Sequence, residues 1–78
     1  MELWVKAGEE TVKIQGSLKS IFETVKNKFT ETPKILAFNG TKRERRRFKK
    51  ELRFAKKDLI KAAENYLIWY KSCKRLFS

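Results

Sequence analysis

Apolar and polar positions alternate at the start of the chain. Leu3 and Val5 are interleaved with Trp4 and Lys6, and Val12 and Ile14 with Thr11, Lys13 and Gln15. A two-residue period sends alternate side chains to opposite faces of a pleated strand, so "LWVKA" and "TVKIQ" are predicted strands. Ala7-Gly8-Glu9-Glu10 is the expected hairpin loop between them. The period then lengthens. Gly16-Ser17 supplies a break and an N-cap, after which Leu18, Ile21, Phe22, Val25 and Phe29 recur at helical spacing, with Lys19, Glu23, Lys26 and Asn27 on other faces. Pro33 disfavours helical geometry at Thr32 and ends that helix. "KILAF" follows as a third strand, apolar enough to be flanked on both sides.

Asn39-Gly40 is a turn signal, and Thr41-x-x-Glu44 fits a capping box opening a second helix. From there to the end the chain has neither Gly nor Pro. Phe48, Leu52, Ala55, Leu59, Ala62, Tyr66, Trp69, Cys73 and Leu76 follow one another at alternating spacings of four and three. The order is β-β-α-β-α. This predicts one small α+β domain over 1–78, with a three-stranded antiparallel or mixed sheet and two helices packed on one face. A helix running unbroken from Thr41 would span roughly 50 Å, against a globule about 30 Å across. It must therefore overhang, bend or meet a second copy.

Charge changes the picture. Residues 1–40 hold six Lys and five Glu, whereas residues 41–78 hold fourteen Lys or Arg and four acids. A near-neutral ββαβ part is thus followed by a strongly basic C-terminal helix, which points to one charged face and a polyanionic partner. On a helical wheel, Arg43, Arg46, Lys50, Arg53, Lys57 and Lys61 form a stripe opposite the apolar seam. Lys42, Lys49 and Lys56 lie on one shoulder and Arg47 on the other. A tail without structure has no reason to keep a 4-3 register, so the basic run is the exposed side of an ordered helix.

Solvated helices usually interleave both signs, because like charges four residues apart repel. Here Lys42–Arg46, Arg43–Arg47, Arg45–Lys49, Arg46–Lys50, Lys49–Arg53, Arg53–Lys57, Lys57–Lys61 and Lys71–Arg75 are like-charged, and only Arg47–Glu51 is opposite. Eight such pairs cost on the order of 2–4 kcal/mol before screening, a large share of the ~4–12 kcal/mol such a domain has.

That cost favours a surface built to contact phosphates. The expected function is nucleic-acid binding, to DNA or RNA, through Lys42, Arg43, Arg46, Arg47, Lys49, Lys50, Arg53, Lys56, Lys57 and Lys61. No Asn or Gln in this stretch can fork onto adenine, so backbone or shape recognition is expected over sequence readout. Phe54 lies off the seam and is a candidate for base stacking, against the plainer role of packing beneath another element. Trp4, opposite Leu3 and Val5, is open to the same two readings, with burial at a sheet edge the plainer one.

The alternative is a protein-interaction module, a homodimer or an inhibitor-like binder of another protein. The segment "ENYLIWYKSCKRLF" is apolar around much of its circumference, with Leu67, Ile68, Tyr70 and Phe77 as contact residues. The seam mixes small Ala55, Ala62 and Cys73 with bulky Phe48, Tyr66 and Trp69, which argues against a long coiled coil. A membrane-surface helix fits poorly, because the densest charge and the most apolar stretch are consecutive and not on opposite faces.

No enzyme is expected. The chain has no His, a single Cys and no Gly-rich phosphate loop, so no catalytic residues, metal site or cofactor are assigned. Cys73 allows no internal disulfide and reads as buried packing. "MELWVKAGEE" has no apolar run and is not expected to act as a secretory signal. Together these point to a cytoplasmic protein, or a nuclear or host-cytoplasmic one if virus-encoded.

Overall fold

The computed structural model describes the backbone of residues 1–77 and the side chains of 1–73. Strands β1 (Glu2–Ala7) and β2 (Glu10–Gln15) form a hairpin, followed by α1 (Leu18–Lys28) and β3 (Lys34–Asn39). Two helices complete the chain, α2 (Lys42–Phe54) and α3 (Leu59–Phe77). The sheet order is β2-β1-β3 and both pairings are antiparallel. The fold is therefore the expected α+β one, with the C-terminal helical region divided in two.

Local signals account for most element ends. Gly8 adopts φ +64° in the two-residue turn between paired Ala7 and Glu10, a conformation that glycine takes without strain. Ser17 Oγ accepts from Ser20 N at 3.2 Å, capping α1. The capping box at α2 is complete. Thr41 Oγ1 accepts from Glu44 N at 3.2 Å, and Thr41 N donates to Glu44 Oε1 at 2.9 Å.

The core lies on one face of the sheet. Leu3 and Val5 of β1 and Ile14 of β2 pack with Ile21, Phe22 and Val25 of α1, Phe48 of α2, and Leu59, Ala62, Ala63, Tyr66 and Leu67 of α3. Phe22 is central, with ring centroids 5.7 Å from Phe48 and 4.9 Å from Tyr66. The small side chains of Ala62 and Ala63, both fully buried, leave room for α3 to lie close against α1.

Strand β3 is not flanked on both sides as its composition suggested. It is an edge strand, and Leu36 and Ala37 are exposed on the open face. A register shift at Trp4/Val5 explains how. Trp4 pairs with Ala37 and Val5 with Ile35, leaving Leu36 as the extra residue. The bulge turns both Ile35 and Phe38 inward, where regular alternation would have separated them. Trp4 sits half-buried on the open face of the central strand, not at an edge, with Lys13 Nζ 5.4 Å from its ring.

The expected long helix stops at Phe54. Lys57 N donates to Leu52 O at 2.7 Å and Lys56 N to Arg53 O at 3.2 Å, the paired bonds of a Schellman ending. Lys56 and Lys57 have φ of 54° and 67°, where a side chain costs roughly 1–2 kcal/mol relative to right-handed backbone. Asp58 starts the next helix, its Oδ1 accepting from Lys61 N at 3.1 Å. The reversal lets α3 bury its apolar side against α1. An unbroken helix over 42–77 would measure about 54 Å, more than the molecule's longest dimension of 42 Å.

Candidate nucleic-acid interface

Helix α2 carries the charge, and its two flanks differ. Phe48 is fully buried, which anchors one side of the helix to Phe22 and Phe38. Lys42, Arg43, Arg45, Arg46, Lys49, Lys50, Arg53, Lys56 and Lys57 are all exposed. Among the described residues, no carboxylate pairs with any of them. Arg45 was not among the expected contact residues, yet it is as exposed as they are. It lies one turn before Lys49, and that i,i+4 spacing was the signal available.

Arg47 behaves differently. Its Nε lies 3.0 Å from Glu51 Oε1, off the hydrogen-bonding direction, and Glu51 is itself only 8 % exposed. The guanidinium sits 4.3 Å from the Trp69 ring centroid and 5.7 Å from that of Tyr66. Arg47 therefore joins α2 to α3 and neutralises a buried carboxylate, which sets it apart from the exposed, unpaired cations of α2. Desolvation pushes the Tyr66 phenol above its ordinary range, partly opposed by Arg47.

Lys61 is also separated from the expected stripe. It is exposed, but it belongs to the first turn of α3, beyond the reversal at Lys56–Lys57. The i,i+4 repulsions Arg53–Lys57 and Lys57–Lys61 therefore do not occur in a helix. Five like pairs remain within α2, costing about 1–2.5 kcal/mol.

The Lys49 shoulder faces a groove. Its floor is Pro33, Ile35 and Phe38 from the β3 side and Leu52 from α2, and its volume is about 640 Å³. Lys49, Arg53, Lys56 and Lys57 form the basic wall, with Lys49 Nζ 6.0 Å from the Phe38 ring. The apolar floor brings together residues of two distant segments and was not foreseen from the sequence. At the opposite flank, Leu18, Arg43, Glu44, Tyr66 and Trp69 line a smaller recess beside Arg47.

Phe54, at the last residue of α2, is 69 % exposed, so it does not pack beneath another element. The residues expected to meet a protein partner divide. Leu67 is core at 8 % exposure, and Tyr70 packs on the core with Lys19 Nζ 4.8 Å from its ring. Ile68 is 63 % exposed beside the partly open Trp69. The side chains of Leu76 and Phe77 lie outside the described residues. Cys73, expected within the seam, is only partly covered.

Two carboxylates hold this region in place. Bonds from the Thr41 backbone and hydroxyl, with the Met1 amine adding a contact at 3.4 Å, keep Glu44 below the usual carboxylate range. The Lys61 amide and the Thr32 hydroxyl do the same for Asp58. Among the described residues, no group of three or more metal-ligating side chains occurs, and no helix is long and apolar enough to cross a membrane.

No known protein family matches the chain, and no solved structure does. An uncharacterized protein of Aquifex aeolicus (strain VF5) is 46 % identical over 71 residues, which cover 90 % of this chain. The matched region spans 56 % of that relative, so the similarity extends over little more than half of the longer protein.

Proposed function

We propose that the protein binds nucleic acid, seating phosphates on the exposed cations of α2 and of the turn that ends it. The observation that carries this reading is the row of nine exposed Lys and Arg from Lys42 to Lys57, none paired with a described carboxylate. Repulsion within the row costs free energy in the isolated protein. A polyphosphate backbone relieves it and releases condensed counterions in exchange. Phe54, exposed among these cations, offers a face on which a base can stack. The arrangement recognises backbone and shape; DNA and RNA are distinguished by measurement.

The test is anisotropy binding to labelled duplex DNA, single-stranded DNA and RNA over a salt series, with an Arg46→Glu/Lys50→Glu/Arg53→Glu variant. These three positions are exposed helical sites, where reversal of charge leaves the core untouched. Four phosphate contacts give a slope of log K against log salt near −3.6 on duplex DNA, at roughly 0.9 per contact, and the variant loses most of it. Binding no stronger than that of an unrelated basic protein overturns the reading. The second reading, a protein partner on α3, then stands on Ile68 and Trp69, which are 63 % and 47 % exposed and adjacent in sequence.

A further inference from the structure

We infer that the groove between β3 and α2 takes unpaired bases, so that the ligand of the basic face is a single-stranded nucleic acid and not a closed duplex. This rests on the nucleic-acid reading of α2 and names the form of ligand that the same surface selects. A purely phosphate-tracking helix needs cations alone. Here the cations of one flank stand over an apolar floor of Ile35, Phe38 and Leu52, all partly open to solvent. A single strand matches both halves, because its bases are apolar-faced and splayed from a charged backbone. In a duplex the base faces are stacked and cannot reach such a floor.

The turn that ends α2 also shapes the end of this groove. Lys56 and Lys57 hold left-handed φ angles that glycine adopts freely, and both side chains line the groove. That helix ending places two cations at the mouth of an apolar cleft. The Thr32–Asp58 hydrogen bond fixes that mouth against Pro33, the first residue of the floor.

The experiment compares a twelve-nucleotide single strand, its duplex, and an abasic strand of the same length, with wild type and a Lys56→Gly/Lys57→Gly variant. Wild type is expected to bind the base-bearing single strand at least tenfold more tightly than the abasic one. NMR methyl signals of Ile35 and Leu52 should shift only with the former. The double-glycine variant relaxes the turn, so lost binding is not lost folding. Its single-strand salt slope should fall by about 1.4, at roughly 0.7 per phosphate contact. Equal affinity for abasic and base-bearing strands, or tighter binding to the duplex, overturns the inference while leaving the phosphate face intact. So does an acidic Glu/Leu peptide that shifts the same methyls and binds more tightly than the oligonucleotide. Salt-insensitive or absent binding to all three nucleic acids removes the nucleic-acid reading itself.

Discussion

Thr32 Oγ1 donates a 2.8 Å hydrogen bond to Asp58 Oδ1, joining the loop before β3 to the turn between α2 and α3 across 26 residues of chain. The same oxygen accepts the Lys61 amide that caps α3. One carboxylate therefore starts a helix and ties the segment leading into the groove floor to the turn that follows its basic wall.

That carboxylate makes stability depend on pH. The Lys61 amide, with the Thr32 hydroxyl, holds Asp58 below its ordinary range in the folded protein. In acid the unfolded chain takes up this proton first, so stability rises with pH there. The contribution is complete above the ordinary Asp pKa of about 3.9 and lost as pH falls through the lower folded value. Thermal melts between about pH 5 and pH 2 should show a steeper fall in Tm for wild type than for Asp58→Asn. Glu44, lowered by its bonds from Thr41, adds a parallel fall common to both proteins.

Lys56 marks the end of α2 with the left-handed geometry usually given to glycine. Lys56→Gly should raise the unfolding free energy by about 1 kcal/mol, the relieved strain less the entropy of a freer unfolded chain. Lys56→Val, which is β-branched, should lower it. Urea titrations check both, with the slope unchanged if only stability has moved.

Arg47 and Arg46 are neighbours with different work. Arg47→Ala leaves Glu51 buried without its cation and uncovers Trp69, which should cost about 1–3 kcal/mol. Arg46→Ala, at an exposed site, should stay within about 0.5 kcal/mol while reducing the salt slope of nucleic-acid binding. Denaturation and binding measured on both variants should therefore rank them in opposite orders.

Phe22 bridges the helices through its contacts with Phe48 and Tyr66. Phe22→Ala should cost about 3–5 kcal/mol, enough to unfold much of the population in a domain of this size. Phe22→Leu should remain folded with a lowered Tm. Circular dichroism at a series of temperatures separates the two outcomes.

The element order, the caps of α1 and α2 and the polarity of the charge are legible along the chain, because each is written within a few consecutive residues. Ser17 and Thr41 cap through bonds spanning three positions, and alternation in β1 needs no distant partner. Most of the core seam was equally legible: Phe48, Ala55, Leu59, Ala62 and Tyr66 are all buried. How that seam is used depends on contacts between distant segments. No Gly or Pro marks the break after Phe54, and Asp58 was its one local sign. The break is stabilised by burial of α3 against α1, a contact between segments some forty residues apart. The same reversal moved Lys61 off the basic stripe, laid Trp69 of α3 against Arg47, and left Phe54 exposed. The groove floor likewise depends on a strand bulge and on Thr32 meeting Asp58. Such relationships belong to no single window of sequence, because their energies arise only when distant residues are brought into contact.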